Sequence, residues 1–177
     1  RSLQSLGVDV RLLLPRYGDR SEQTQYAVER VGNSIPVPVG AEYEPAHLLS
    51  TQVDGVPTYL LYNDQYFGNR DRVYGFNDDP QRFLFFSRAV IAALPVLGWG
   101  PDVVHANDWH TAPIPAWLDV YGAWRPFYKG LASLFTVHNL AFQGLSGRLL
   151  LSFGQMEELK HLEVEPPGKV NWMAQGI

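Results

Sequence analysis

Between Pro80 and Asn139 the chain alternates between two hydrophobic periods, and that alternation constrains the fold more than any other feature. "QRFLFFSRAVIAALPVLGW" is apolar on most faces of a helix. Asp78 or Asp79 is placed to cap it, Pro80 suits its first turn, and Pro95 and Gly98 are expected to end it. "PDVVHAND" follows as a short apolar run of the kind that is buried on both faces of a parallel sheet. Next come "WHTAPIPAWLDVYG", a helix starting near His110 or Thr111, and "ASLFTVHN", residues 132–139, a further strand closed by the turn "LAFQG". Helix and strand in strict succession predict an α/β fold with a doubly wound parallel sheet and right-handed crossovers. In such sheets ligands bind beyond the carboxyl ends of the strands.

The flanking segments are compatible with that plan. "LQSLG" reads as a helix end with Gly7 as its C-terminal cap, and "VDVRLLLPRY", residues 8–17, reads as another doubly buried strand. Residues 28–62 carry two β-rich runs around Asp54-Gly55, a dipeptide suited to a type I′ hairpin because both central residues need positive φ. "YFGNRDRVYGFNDD" has no periodicity and reads as a surface loop. The tail from Leu151 reads as short helices broken at Pro166-Pro167-Gly168. One domain is the expectation for 177 residues, and the helical readings at both ends suggest a piece of a longer chain.

Charge and composition narrow the function. A net charge of −4, with Lys and Arg scattered, offers no basic face for nucleic acid or an anionic membrane. No apolar stretch approaches the roughly 20 residues of a membrane span, and "RSLQSLGVDV" lacks the apolar core of a signal peptide. The absence of cysteine removes disulfides and thiolate chemistry and points to the cytoplasm.

Two of the strands end in polar clusters: His105, Asn107, Asp108 and His110 after one, His138 and Asn139 after the other. If the strands are parallel neighbours, both clusters meet in one crevice. Singly, each residue has a plainer reading. His105 alternates with the apolar run and reads as a satisfied buried histidine, Trp109 as packing, and Asp108 equally as a cap for the helix behind it. His110 and His138, as half-buried imidazoles at strand ends, ask for a function.

Three chemistries compete for the cluster. His105, Asp108, His110 and His138 supply enough nitrogen and oxygen ligands for a metal-dependent hydrolase, although Asp108 and His110 need not point the same way at a strand-to-helix turn. Dinucleotide binding would require G-x-G-x-x-G, and a P-loop G-x-x-x-x-G-K-[ST]; neither run occurs. Carbohydrate recognition uses Asp, Asn and His beside aromatic faces, which "RVYGFNDD" also supplies.

"PDVVHANDWHTAPIPAWL" and "FTVHNLAFQG" resemble the glycogen and starch synthase family of glucosyltransferases, with its H-x-x-D-W-H and T-V-H-N-L-A-[YF]-Q-G motifs. "GVDVRLLLPRY", "VYGFNDDPQRF" and "KVNWMAQGI" extend the resemblance from end to end. The sequence departs from the family at Asp79, where Asn is common, and at Phe142, where Tyr is frequent. The resemblance implies a Rossmann-like N-terminal half of a two-domain GT-B enzyme. Its first strand, Lys-x-Gly-Gly loop and C-terminal domain would lie outside residues 1–177, leaving this chain inactive by itself. It implies retaining transfer of glucose from ADP-glucose or UDP-glucose to the non-reducing end of an α-1,4-glucan, without metal or other cofactor. His138 and Asn139 would lie at the donor sugar, His138 assisting the charge that develops there. Asp108 and His110 would bind the acceptor glucose, with Tyr74 in its platform. A non-catalytic glycan-binding domain is the other reading of the same residues.

Overall fold

The computed structural model describes residues 2–18, 25–68, 70–159 and 167–177. The chain forms two compact units, residues 1–36 with 45–75 and residues 37–44 with 76–177. As the sequence predicts, the fold is α/β.

In the first unit, α1 (Ser2–Ser5) ends as expected at Gly7, which has φ +83°. The amides of Gly7 and Val8 donate to the carbonyls of Gln4 and Leu3, closing the last turn of the helix. Strand β1 (Leu12–Pro15) runs parallel to β5 (Val56–Tyr62), and β5 runs antiparallel to β4 (Glu42–Val53). β2 (Glu29–Arg30) pairs with the far edge of β4, and β3 (Ile35–Val39) also pairs with it. The hairpin between β4 and β5 turns at Asp54 and Gly55, with φ of +54° and +78°, the two positive values a type I′ turn requires.

β1 is not buried on both faces. Leu12 and Leu14 are exposed, because nothing among the described residues covers that side of the strand. The expected surface loop after β5 begins instead as a tucked turn over Asp64–Gly68 that buries Tyr66 and Phe67. Asn63 organises it: its side-chain amide donates to the carbonyl of Pro45 (2.8 Å) while its Oδ1 accepts the amide of Tyr66 (3.1 Å). Phe67 packs edge-on against Tyr17 at 5.6 Å.

The second unit is built on α2 (Asp79–Val96), in which 13 of 18 residues are buried, so it packs on most of its circumference. Asp78 occupies the N-cap but makes no side-chain capping bond there. Asp79 ties the helix to the turn before it: Oδ2 accepts the amide of Phe76 and Oδ1 pairs with the fully buried Arg82 at 2.8 Å. Pro95 does not stop the helix, which runs on to Val96 before Gly98 closes it at φ +58°. A proline removes the hydrogen bond to the carbonyl four residues back, here Ile91. That carbonyl accepts the Tyr128 hydroxyl at 2.9 Å, so the defect is repaired from outside the helix.

β6 (Val103–Asn107) and β7 (Ala132–Thr136) pair in parallel, from Val103 opposite Ala132 to Asn107 opposite Thr136. The crossover contains α3 (Pro113–Trp117), continued by a wider turn to Gly122. The parallel pairing and the helical crossover match the sequence reading; the double burial does not. Val103 and Leu134 are each 51% exposed and only Ala106 of β6 is buried.

The tail holds α4 (Leu149–Gly154), α5 (Trp172–Gln175) and a short antiparallel pair, β8 (Leu145–Gly147) with β9 (Lys169–Asn171), that no periodicity announced. Buried Trp172 donates its indole N–H to Ser146 Oγ, and Asn171 caps α5 through the amide of Ala174. Pro167 and Gly168 form the turn before β9, whereas Pro166 lies outside the described residues. The tip of the β3–β4 hairpin belongs to this unit because Gly40 exchanges hydrogen bonds with the carbonyl of Phe153 and the side chain of Gln155. No helix among the described residues is long and apolar enough to cross a membrane.

The turn at Gly55 yields a clean test. A Cβ there would meet nothing within 4 Å but would still be held at positive φ. Gly55→Ala is expected to cost about 1 kcal/mol, seen as a lower urea midpoint with an unchanged m-value.

Candidate functional site

Because β6 and β7 are parallel and in register, their carboxyl ends finish level, and their polar ends are brought together. The ladder extends one residue further, the amide of Asp108 donating to the carbonyl of Thr136 at 2.8 Å. Asp108 then turns the chain at φ +55°, a conformation that Asp and Asn tolerate better than most residues.

The turn points the Asp108 carboxylate at the other strand. Its Oδ1 accepts the backbone amides of His138 (2.7 Å) and Asn139 (3.4 Å). Asp108 therefore does not cap the helix behind it. That end is closed by Thr111, whose Oγ1 donates to the carbonyl of Asn107 (2.8 Å) and accepts its amide (2.6 Å). Among the described residues, Oδ2 of Asp108 has no such partner.

His138 is exposed rather than half-buried. Its Nε2 lies 2.9 Å from Oδ1 of Asn107, within hydrogen-bond distance. The imidazole is thus held at both ends of its residue, by Asp108 on the backbone and Asn107 on the ring. Asn139, also exposed, uses its Oδ1 on the amide of Ala141 and keeps its side-chain N–H groups for other partners.

His110 is half-buried, as expected. Its ring stacks on Trp109 at 4.2 Å and meets the edge or face of Phe83 at 4.5 Å, while Ser87 Oγ donates to its carbonyl at 3.2 Å. Burial lowers its pKa; Asp108 and Asp79 oppose that shift without cancelling it. Near neutral pH the ring is uncharged and can donate one hydrogen bond and accept another. Trp109 packs as anticipated, against Phe83 at 5.5 Å and against Gly144.

His105 is exposed, not buried, and its Nε2 lies 2.7 Å from Thr136 Oγ1 on the same face of the β6–β7 pair. The residues proposed as a metal-ligand set are therefore engaged with different partners. Among the described residues no group of three His, Asp or Glu could hold a metal ion. Tyr74 belongs to the first unit, where it is 65% exposed.

Sequence reasoning singled out Asn107 only as part of a polar run and missed Thr136, Phe83, Ser87 and Gly144. Each acts across the fold on a residue far away in sequence. Gly144 alone left a local signal, as a glycine closing the turn after a strand.

Comparison with known proteins gives this arrangement a context. The profile of the family described as the starch synthase catalytic domain matches residues 1–177. A glycogen synthase of Moorella thermoacetica is 36% identical over 182 residues, covering 100% of this chain and 36% of that protein. A glycogen synthase of Bacillus cytotoxicus is 35% identical over 183 residues, again covering 100% of the chain and 37% of the relative. The chain thus spans a little over a third of the length of these relatives. In three dimensions it superposes on the catalytic domain of starch synthase IV from Arabidopsis thaliana, solved with ADP and acarbose. The TM-score is 0.87 at 24% identity, over 99% of this chain and 37% of the other, which establishes the fold.

Two outcomes test the packing around Asp108. A Cβ on Gly144 would lie 2.7 Å from Cδ2 of Trp109 at φ +68°, so Gly144→Ala is expected to cost roughly 2–4 kcal/mol and to shift tryptophan emission. The lowered pKa of His110 means that the unfolded chain binds more protons between the folded value and 6.5. Its contribution is intact above pH 6.5 and is lost as pH falls through that window. Urea titrations at pH 7.5 and pH 5 should show a smaller acid-induced loss of stability in His110→Gln than in the wild type.

Proposed function

This chain belongs to the starch synthase catalytic domain family, and we propose on that premise that its parent protein is a retaining α-1,4-glucan glucosyltransferase of glycogen or starch synthesis. Residues 1–177 supply the acceptor side of a two-domain catalytic unit acting in the cytoplasm. The donor is a nucleotide sugar, ADP-glucose or UDP-glucose, and the acceptor is the non-reducing end of the glucan. In the reaction, C1 of the donor glucose leaves the phosphate oxygen, which keeps the bonding electrons. The oxygen of an acceptor hydroxyl bonds to C1, and its proton passes to the departing phosphate.

The observation that carries this reading is the double hydrogen bond from the amides of His138 and Asn139 to Asp108. It joins the residues assigned to the donor sugar to those assigned to the acceptor. Oδ2 of Asp108 and the neutral ring of His110 then suit hydroxyl groups of the acceptor glucose. The residue His138 suits the donor in this reading, because Asp108 holds its backbone amide and Asn107 its ring, so both are fixed before positive charge develops at C1. Preorganised dipoles of this kind stabilise an oxocarbenium-like transition state without reorganising during the reaction. Tyr74 is assigned to the acceptor platform as an exposed aromatic on the loop that resembles the family's.

Full-length protein incubated with a malto-oligosaccharide in metal-free buffer, with ADP-glucose and UDP-glucose in parallel, should elongate the chain with at least one donor. Asp108→Asn should lower kcat/KM on the order of 100-fold. Folded protein that elongates with neither donor contradicts the assignment.

A further inference from the structure

On another part of the second unit, α2 carries a cation that the site above does not use. Arg88 is only 7% exposed, and its Nε and Nη1 have no hydrogen-bond partner. Its guanidinium carbon lies 5.0 Å from the centre of the Trp117 ring, and that of Arg125 lies 5.0 Å from the same centre. Among the described residues no carboxylate pairs with either arginine.

The contact with the indole accounts for part of this burial, since a desolvated cation is attracted to the face of a tryptophan ring. It leaves two buried donors unsatisfied, each of which has given up its bonds to water without replacement. Arg125 aggravates the imbalance: burial first, then its positive charge, push the Arg88 pKa down to about 10. None of the surrounding groups bonds to those two donors. The Tyr128 hydroxyl donates to Ile91, Arg125 Nη1 donates to the carbonyl of Tyr121, and the Tyr121 hydroxyl accepts the amide of Glu158. What would satisfy the buried Arg88 and also draw on the charge of the exposed Arg125 is an anion with several acceptor oxygens.

We propose that Arg88 and Arg125, flanking Trp117, form an oxyanion-binding site whose preferred ligand is a phosphate-type dianion. Tyr121 and Tyr128 both pack against the Trp117 ring, at 5.9 and 5.2 Å, and the repaired proline defect in α2 fixes Tyr128 in place. Two positive charges favour a dianion over a carboxylate, but both ligands present the same acceptor oxygens.

The test is the melting temperature of full-length protein titrated with inorganic phosphate and, at matched ionic strength, with acetate. Arg88→Met and Arg125→Gln are measured alongside. The wild type should show a saturable rise of at least about 2 °C with phosphate, and both variants should lose it. Any response that survives in both variants belongs to another site. Arg88→Met should fold, with a phosphate-free melting temperature no lower than the wild type's, because it removes an unpaired buried charge. A saturable acetate response lost in the same variants would also uphold the oxyanion site and assign it to carboxylates. The proposal is overturned if the wild type shows no saturable response to either anion, or if Arg125→Gln, folded, responds as the wild type does.

Discussion

A single carboxylate oxygen, Oδ1 of Asp108, receives two backbone amides from a segment thirty residues away. The rest of the site depends on that contact. It fixes where the chain goes after β7, hence where His138 and Asn139 stand, and the second oxygen of the carboxylate has no such partner among the described residues. Three features make the contact possible. Parallel register brings Asn107 and Thr136 level, the amide of Asp108 extends the ladder by one bond, and the positive φ of Asp108 swings its side chain across. A hydrogen bond from an amide to a charged acceptor is stronger than one between neutral groups, so the two strand ends are tied by more than sheet pairing.

Behind this contact stands α2, which serves both parts of the second unit. Through Phe83 and Ser87 it holds the ring and carbonyl of His110. One turn or so later it carries Arg88 against Trp117, and at Ile91 it takes the Tyr128 hydroxyl that compensates for Pro95. Its start is equally determined, with Asp79 spending one oxygen on the amide of Phe76 and the other on Arg82. The rings of Phe76 and Phe83 lie 5.2 and 5.0 Å from the Arg82 guanidinium, so a fully buried charge sits among aromatic faces as well as beside its carboxylate.

Local chemistry made much of this legible from residue types alone. Asp54-Gly55 specifies its turn because few other pairs accept two positive φ values, and Gly7 ends α1 for the same reason. The helix from Asp79 and the parallel pair β6–β7 follow from hydrophobic period, and the convergence of the two polar clusters follows from their positions at strand ends. What escaped was decided by partners distant in sequence. Val103 and Leu134 are apolar enough for a buried strand, but burial depends on what packs over each face. Pro95 reads as a helix stop, and only Tyr128 shows why the helix passes it. Asp108 reads as a helix cap because that use is local; its amide partners belong to another strand.

The central claim is that the Asp108 carboxylate holds the segment after β7. Backbone hydrogen exchange at His138, compared between the wild type and Asp108→Gly, tests it directly. Glycine accepts the positive φ at this position, so the substitution removes the carboxylate without adding backbone strain. The account predicts exchange at the His138 amide about 10-fold faster or more in the variant, with Ala106 and Phe135 in the paired strands unchanged. Equal exchange at His138 in the two proteins would contradict it.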